Sequence, residues 1–313
     1  MISEDLKLVT RYYRQFRLCV LAMLLFLVAT LAVMFIKRPL VFAMLAIAVL
    51  FHLFVLRPKQ KAYADAFSKA NLRQTICKRL GTDTILEKAH QNINEETIEQ
   101  ARLMPGGSEK SAPLFRWEVS GTIKGIPVTL CDTTIPQSFR LAEKGKPRVH
   151  FNAGVWAHIT LPSDSGMHFR LLDETSVPTP IRMEYFSKSI RYENAPLEDR
   201  DLKTHCVLYR PMGTEQQPSY SFCKSLKALM KYTPGYVAVS VHGSSMDVFI
   251  RGRFLTRTLP LTQKPTQQLL EFDPFPELSC CLRNAWTVTG LTRFLNGHLY
   301  AFLMSTKIFF ASF

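Results

Sequence analysis

The chain has 313 residues and carries 39 Lys and Arg against 25 Asp and Glu, a formal net charge of +14 at pH 7. Its seven cysteines are odd in number, scattered and never spaced as CxxC, which excludes a secreted disulfide framework and a zinc ribbon. The basic residues form no stripe interleaved with aromatics and no recognisable nucleic-acid module, so no nucleic-acid partner is predicted.

Two apolar runs close to the N-terminus predict a pair of membrane-spanning helices. Leu18–Ile36 is 19 residues long without a charge, and Leu40–Leu56 is 17 residues long with His52 as its only titratable side chain. A helix needs about 20 apolar residues to cross the ~30 Å hydrocarbon core of a bilayer, so both runs qualify. Only residues 37–39 separate them. Such a short connection predicts a helical hairpin whose two ends emerge on the same side of the membrane.

A cleaved signal peptide is the alternative interpretation of the first run. Four basic residues precede the run, as they would in a leader: Lys7, Arg11, Arg14 and Arg17. However, the run is longer than the usual 7–15 residues, no small-residue cleavage site follows it, and a second apolar run comes immediately. The pattern therefore favours an anchor that is retained.

Basic residues on both flanks of the hairpin predict its orientation. Residues 57–79 contain seven Lys and Arg and one Asp, whereas the connection between the runs carries only Lys37 and Arg38. Short basic flanks are retained in the cytoplasm. We therefore expect a multi-pass protein of the cell inner (plasma) membrane, with both termini and the soluble domain in the cytoplasm.

The polybasic stretch after the second run also suits anionic lipid head groups. Near a membrane surface each Lys or Arg contributes about 1 kcal/mol of attraction to such lipids. The candidate lipid-binding residues are Arg57, Lys59, Lys61, Lys69 and Arg73. The same charges also fix the topology, so weak lipid binding is expected as a by-product of that role.

Residues 57–104 have the pattern of a basic helical neck. Apolar residues recur there at helical spacing, Ile85 and Leu86 among them. Gly81–Asp83 interrupts the pattern with a stop signal followed by a new N-cap, so two successive helices are predicted. Glycine and proline residues between Met104 and Pro113 indicate a loop.

From Leu114 onward the pattern changes to alternating strands with two helices. The predicted strands are Phe115–Ile123, Gly125–Cys131, Val149–Leu161, Thr204–Arg210, Tyr236–Val241 and Met246–Ile250. Tight turns are expected at Lys124-Gly125 and at His242–Ser245. The predicted helices are Ser219–Lys231, with Phe222, Leu226, Leu229 and Met230 on one face, and roughly Pro276–Leu295, which buries Leu278, Cys281, Leu282, Ala285 and Trp286.

The sequence thus predicts an α+β protein with an N-terminal two-helix transmembrane hairpin, a helical neck, and a soluble domain of antiparallel strands with packed helices. The predicted segments are a cytoplasmic basic N-terminus (1–17), two transmembrane helices (18–36 and 40–56), the neck (57–104), the soluble domain (114–296) and an apolar tail (297–313). The sixteen residues of the tail after Gly297 would reach about 24 Å as a helix, which is too short to span a bilayer. It is expected to be a helix that contacts the domain or the membrane.

No motif points to a catalytic, cofactor or metal site, and none is predicted. His205 and Cys206 are neighbours on a predicted strand, so their side chains point to opposite faces and cannot pair as base and nucleophile. His150 and His158 share a strand face, but the eight histidines form no HExxH motif. Glu198–Asp201 suits a solvated turn better than a divalent-cation site. No glycine-rich phosphate loop is present.

Several stretches of the chain follow the order and spacing of a known family. They are Phe115–Thr134 (FRWEVSGTIKGIPVTLCDTT), Gly154–Pro162 (GVWAHITLP), Met183–Phe186 before Cys206–Tyr209 (CVLY), the hairpin VAVSVHGSSMDVFI and the terminal helix. In these stretches the chain resembles a family of bacterial membrane proteins known as domain of unknown function 3137, over roughly residues 20–295. The resemblance implies the two-helix hairpin, the basic neck and the α+β domain. It implies no catalytic residue, so it leaves the activity open.

Two classes of function remain open from the sequence. The first is a non-catalytic binding, scaffold or sensor module, anchored in the lipid bilayer, that meets an unidentified protein partner. The second is a membrane-surface enzyme of the hydrolase class whose site only the fold assembles. A deep pocket lined by titratable groups with shifted pKa values would favour the enzyme, and an exposed apolar patch would favour the binding module. The absence of a catalytic motif favours the first class.

Overall fold

The computed structural model describes residues 3–34, 38–82, 84–87, 92–101, 103, 112–139, 148–173, 192–233, 235–256 and 263–288. The chain divides into two compact units. The first comprises Met1–Arg79 and Thr256–Pro274, and the second comprises Leu80–Leu255 and Phe275–Phe313. Most of the expected loop 104–113, the stretch 183–186 and the apolar tail 297–313 lie outside the described residues.

The first unit is helical. Its helices include α1 (Glu4–Met34), α2 (Arg38–Phe51), α3 (Arg57–Leu72), α4 (Lys78–Leu80) and a four-residue turn of helix at Gln267–Leu270. π-helical turns at His52–Leu56 and Arg73–Cys77 join α2, α3 and α4 into one continuous helix. Residues 4–17, predicted as a separate basic N-terminus, form the first half of α1.

The π turn ahead of α3 has a cause in the sequence. Pro58 has no N–H, and in a regular α-helix its ring would collide with a carbonyl one turn earlier. A widened turn accommodates the ring, because the N–H of Arg57 donates to the carbonyl of His52, five residues back. The helix therefore continues past the end of the second apolar run.

The first half of α1 packs against α3. Val9 and Phe16 of α1, and Tyr63 and Phe67 of α3, are all at most 5% exposed. The Tyr63 ring lies 5.4 Å from the ring of Tyr13 and 6.1 Å from that of Phe16, centroid to centroid. The neck is thus a pair of helices, and α1 supplies one of them.

The segment 263–274 packs on the same helices. Asn71 of α3 is fully buried, and its Nδ2 donates to the carbonyls of Leu270 at 2.8 Å and Phe272 at 2.9 Å. Leu270 itself is fully buried in the cluster that holds Tyr63. The first unit therefore includes a segment that follows the strands of the second in sequence.

The second unit is built on an antiparallel sheet that has nine strands within the described residues. The strands are β1 (Ile85–Glu87), β2 (Leu114–Ile123), β3 (Ile126–Phe139), β4 (Arg148–Thr160), β5 (His168–Asp173), β6 (Tyr192–Ala195), β7 (Cys206–Pro211), β8 (Val237–His242) and β9 (Ser245–Arg251). Their order across the sheet is β1-β2-β3-β4-β9-β8-β5-β7-β6. The helices that accompany the sheet include α5 (Glu95–Ala101), α6 (Tyr220–Tyr232) and α7 (Leu278–Val288). The predicted α+β class is confirmed.

Two-residue turns close the β2–β3 and β8–β9 hairpins, as predicted. Lys124 and Gly125 have φ values of 51° and 81°, so this turn is of type I′. Gly243 has a φ of 58° at the first central position of the other turn, which is typical of type II′. Both turn types match the right-handed twist of the flanking strands and fix their register.

Helices cover both faces of the sheet. α6 and α7 lie on one face, where the Phe222 ring meets the Phe169 ring at 5.4 Å. α5 lies on the other face, where Ile98 packs in one cluster with Trp156 and Phe249. Val155 and Trp156 are adjacent on β4 and both fully buried, as a sheet covered on both faces requires.

Two local predictions were wrong, and a third needs a new boundary. Ile85 and Leu86 were predicted to be helical but form β1, because pairing with β2 overrides a short helical pattern. Trp286 was predicted to be buried but is only partly so, and the Nζ of Lys124 lies 5.4 Å from its ring. α7 begins at Leu278, two residues later than expected.

Asp132 of β3 is a buried carboxyl group whose ionisation opposes folding. It is 6% exposed, and its Oδ1 accepts a hydrogen bond from the N–H of Leu255 at 2.7 Å. Burial raises the pKa of Asp132 to about 7, although this hydrogen bond and the charge of Arg116 act in the opposite direction. The folded state then binds the proton more tightly than the unfolded state, so stability falls as the pH rises from about 4 to about 7.

Asp132→Asn should remove that decline, because the amide keeps an acceptor oxygen for Leu255 and carries no charge. We expect the variant to exceed the wild type by up to about 4 kcal/mol at pH 8 and to match it at pH 4. Urea unfolding of the full chain in detergent, followed by tryptophan fluorescence, measures the difference. All three tryptophans (Trp117, Trp156 and Trp286) belong to the second unit. A variant with the wild-type pH slope would contradict this role for Asp132.

Candidate functional site

α1 and α2 expose apolar surface that a soluble domain would bury. Among the described residues, two helices are long and apolar enough to cross a membrane, Glu4–Val33 and Leu40–Leu80. Only 11% and 6% of their most apolar windows are buried. Leu18 and Phe42, for example, are 66% and 77% exposed. By length, composition and exposure, these helices are suited to membrane association.

Five exposed basic side chains, here called the basic belt, lie where the two apolar runs end: Arg14, Arg17, Arg57, Lys59 and Lys61. At 1.5 Å per residue, Arg14 and Arg17 precede Leu18 by about 6 and 1.5 Å, and the other three follow Leu56 by about 2 to 8 Å. The contacts of the Tyr63 ring with α1 bring the two sets to one level of the helix pair.

The basic belt has no acidic counterpart within the part of the chain that the structure describes. Arg17 lies over the ring of Tyr13 at 5.9 Å, and the Nζ of Lys59 donates to the Oε1 of Gln15 at 3.3 Å. Two basic residues further along the helices have acidic partners instead. Arg73 pairs with Asp5 at 3.2 Å, and Arg79 pairs with Asp273 at 2.6 Å. Uncompensated positive charge therefore lies at the end of the apolar surface.

The structure divides the five predicted lipid-binding residues into two groups. Arg57, Lys59 and Lys61 belong to the basic belt. Lys69 and Arg73 lie about 20 and 25 Å beyond the apolar run, which is more than two Debye lengths at physiological salt. Lys69 also takes part in a further interaction, and Arg73 has its ion pair. These two are poorly placed for a membrane surface at the belt.

A groove runs along α1 from the basic belt into the apolar surface. It has a volume of about 530 Å³ and is lined at one end by Tyr13, Arg14 and Arg17 and further along by residues that include Leu18, Leu21 and Leu24. The three leucines are at least 54% exposed. Their spacing places them on one face of the helix. The groove therefore has a cationic end and an apolar length.

A second candidate site is a row of polar side chains across the sheet face that carries α5. Register places its members on consecutive strands: Ser120 on β2, Thr129 on β3, His158 on β4, Asp247 on β9, Ser240 on β8 and Arg170 on β5. Adjacent strands lie about 4.8 Å apart, so neighbouring members of the row can interact. Asp247, Ser240 and Arg170 are buried, whereas the other three are partly exposed.

Asp247 holds the centre of this polar row. Its Oδ1 accepts hydrogen bonds from the Nε1 of Trp156 and pairs with the Nδ1 of His158, both at 2.9 Å. Burial alone lowers the pKa of His158, but the hydrogen bond to Asp247 and the negative charge of that residue raise it above its ordinary value. His158 and Asp247 thus form a charge-assisted pair on the sheet.

The polar row places hydroxyl groups beside this pair, in the order hydroxyl, imidazole, carboxylate. A serine or threonine nucleophile needs a hydrogen bond to its base. The Oγ1 of Thr129 is instead 2.9 Å from the Oγ of Ser120, and the structure records no bond from either hydroxyl to His158 within the described residues. The sequence analysis predicted no site at His158 and missed its acidic partner, 89 residues away.

Four of the cysteine side chains are poor nucleophiles. Burial raises the pKa of the Cys206 thiol to about 12 and that of Cys223 to about 11, and it also raises the pKa values of Cys131 and Cys280. The Sγ of Cys206 lies 3.6 Å from the Sδ of Met230 in the core. Because the thiolate is the reactive form, these thiols are unsuited to catalysis at neutral pH.

Asp247→Asn should abolish a pH-dependent part of the stability. The raised pKa of His158 means that the pair stabilises the fold fully below about pH 6.5 and that this contribution is lost as the pH rises through the folded pKa. Without the carboxylate, only burial shifts the pKa of His158, and burial lowers it. The pH dependence of the stability that comes from His158 therefore reverses. We expect the variant to lose about 1–2 kcal/mol at pH 5.5 and less at pH 8.5, measured by urea unfolding with tryptophan fluorescence.

The matched control for this prediction is Asp201→Asn. That carboxylate is 79% exposed in its pair with Lys227, so removing its charge should leave the same pH profile almost unchanged. A loss at Asp247 that is equal at both pH values would show that the hydrogen bond matters and that the charge of His158 does not.

The described residues contain no group of three or more His, Cys, Asp or Glu side chains arranged to hold a metal ion. Comparisons with protein-family models, with curated proteins and with solved structures found no match to this chain.

Proposed function

We propose that this chain is a membrane-anchored cytosolic binding module, with α1 and α2 as a transmembrane hairpin and the α+β unit as the part that meets a protein partner. The observation that carries the proposal is the exposed apolar surface of α1 and α2, which ends at a belt of exposed basic side chains. Such a surface is stable in contact with hydrocarbon and is a liability in water.

The packing of the neck supports an anchor that stays in the protein. Val9 and Phe16 precede the first apolar run and are buried against Tyr63 and Phe67 of α3. Removal of α1 as a signal peptide would uncover this cluster. The retained hairpin also agrees with what the resemblance to domain of unknown function 3137 implies, and we propose membership of that family on the same grounds.

The orientation follows from the positions of the basic residues. The belt lies on the side of the apolar runs that carries both chain ends, and positively charged flanks are retained in the cytoplasm. We therefore place both termini and the second unit in the cytoplasm of a bacterial cell, with the hairpin in the inner membrane.

Binding is better supported than catalysis in the second unit. The buried thiols have raised pKa values, and the carboxylate of Asp247 is engaged by two partners. Leu114 and Phe151 lie on one face near one end of the sheet and are 64% and 66% exposed. Exposed apolar side chains of this kind are typical of protein-binding surfaces.

A hydrolase is the alternative, and the pair of His158 and Asp247 beside Thr129 is the observation that favours it. A fluorophosphonate probe, which reacts with activated hydroxyl groups, separates the two functions. The binding module predicts no labelling of the full chain. Labelling that Thr129→Ala and His158→Gln both abolish would instead establish a nucleophile and its base.

Cysteine accessibility in intact cells tests the anchor and its orientation. Cys19 and Cys280, the two partly exposed cysteines, are first changed to serine. One variant then carries Lys203→Cys, on an exposed turn of the second unit, and a matched variant carries Lys37→Cys between the apolar runs. A membrane-impermeant maleimide should label the Lys37 variant in intact cells and the Lys203 variant only after lysis. The reverse pattern would overturn the orientation, and labelling of both would overturn the hairpin.

A further inference from the structure

We infer that the groove on α1 binds one anionic phospholipid, with its phosphate between Arg14 and Arg17 and an acyl chain along the leucines that follow. This inference rests on the proposed membrane anchor and names a ligand for it. Its basis is the combination of shape, charge and position in this one groove.

The shape of the groove matches a molecule with a charged head and an apolar tail. Its volume of about 530 Å³ lies within the range of small-molecule sites, roughly 300–1,000 Å³. From Leu18 to Leu24 the apolar length is about 9 Å, since a helix rises 1.5 Å per residue. The arginines lie at the end of this length that is nearer to the cytoplasm in the proposed orientation.

The charge at the head of the groove favours an anionic ligand. Arg14 and Arg17 are both exposed, and no carboxylate within the described residues pairs with either. The ring of Tyr13 lies 5.9 Å from the guanidinium of Arg17 and restricts where that group can point. Arginine presents a planar fork of N–H donors that suits the oxygens of a phosphate.

The apolar length favours a lipid over a soluble phosphate compound. A free phosphate ester would contact only the two arginines and would leave Leu18, Leu21 and Leu24 exposed. A phospholipid contacts both the arginines and the leucines of the groove. Its phosphate lies at the boundary of the hydrocarbon core, where Arg17 precedes the first apolar residue. The other three belt residues, Arg57, Lys59 and Lys61, add attraction for negatively charged head groups on the neighbouring helix.

Native mass spectrometry of the full chain in neutral detergent tests the site. Phosphatidylglycerol and phosphatidylcholine with identical acyl chains are the two lipid probes, and glycerol 1-phosphate is the soluble one. We expect one phosphatidylglycerol per chain, bound at least tenfold more tightly than phosphatidylcholine, and no binding of glycerol 1-phosphate at the same concentration.

Two matched double variants locate the binding. Arg14→Gln with Arg17→Gln should weaken phosphatidylglycerol binding about thirtyfold, the ratio predicted for two cations near a membrane surface. Lys7→Gln with Arg11→Gln removes the same charge from exposed positions of the same helix, about 10 to 16 Å from the apolar run, and should change binding less than threefold. Circular dichroism confirms that both variants keep their helices.

Three outcomes would overturn the inference: equal binding of the two lipids, equal weakening by the two double variants, or binding of glycerol 1-phosphate as tight as that of the lipid. The proposed anchor is tested separately by the maleimide pattern. A chain that labels as a hairpin but shows no preference between the lipids would retain the proposed function and lose only this site.

Discussion

Arg170→Met should destabilise the second unit by about 3 kcal/mol, because methionine keeps an unbranched apolar stem but has no N–H donor. Arg170 is 1% exposed, its Nε donates to the carbonyl of Ala101 at 2.8 Å, and its Nη2 donates to that of Gln100 at 3.1 Å. These carbonyls belong to the last turn of α5, where a helix leaves acceptors unsatisfied and favours a positive charge. Methionine would leave both carbonyls without this donor, and that of Ala101 is in a buried place.

Arg210→Met on the neighbouring strand β7 is the matched control. Arg210 pairs with Glu193 at 2.9 Å at a partly exposed position, so its loss should cost no more than about 1 kcal/mol. Urea unfolding of the full chain by tryptophan fluorescence measures both variants. Hydrogen exchange at the amides of α5 should become faster only in the Arg170 variant. Equal destabilisation by the two substitutions would show that α5 does not depend on Arg170.

The local signals in the sequence predicted the hairpins and one helix of the second unit closely. Lys124-Gly125 lies where a type I′ turn needs positive φ at both central residues, and the structure places the turn there. Ser219 was predicted as the first residue of a helix and is its N-cap, with its Oγ accepting from the N–H of Phe222 at 3.2 Å. Turns and helix caps depend on residues within four positions of one another, so a local sequence pattern is enough to predict them.

Local sequence patterns did not predict contacts between distant parts of the chain. Ile85 and Leu86 form a strand because β2 offers an open edge for pairing, about 30 residues later in the chain. Asn71 donates hydrogen bonds to the backbone carbonyls of Leu270 and Phe272, about 200 residues away. No local sequence pattern predicts a buried asparagine with that role. The helical spacing of the neck was correct up to Leu80, where the helix ends.

The sequence analysis identified only three of the five residues of the basic belt as candidates for lipid binding. Arg57, Lys59 and Lys61 were singled out, but Lys69 and Arg73 were grouped with them, because composition alone does not register distance from the apolar run. Arg14 and Arg17 were read only as topology signals. The packing of α1 on α3 is what brings these two arginines level with the α3 residues. An antiparallel hairpin implies this alignment, so counting residues outward from both apolar runs would have identified it.

Gly154→Ala should destabilise the second unit by about 3 kcal/mol, as overpacking against immobile atoms does. Gly154 lies on the central strand β4, opposite Arg251 of β9. A Cβ at this position would lie well within 3.0 Å of the carbonyl oxygen of Ile250 and 2.9 Å from the Cα of Arg251. These are backbone atoms of a paired strand, so they cannot move without breaking the β4–β9 ladder.

Gly166→Ala separates this steric effect from the general cost of replacing glycine. Gly166 has a φ of +61°, but a Cβ there would meet nothing within 4 Å. The left-handed conformation costs an alanine about 1–2 kcal/mol, so we expect the Gly166 variant to lose less stability than the Gly154 variant in the same urea titration. The reverse order would mean that β4 and β9 can separate enough to admit a methyl group.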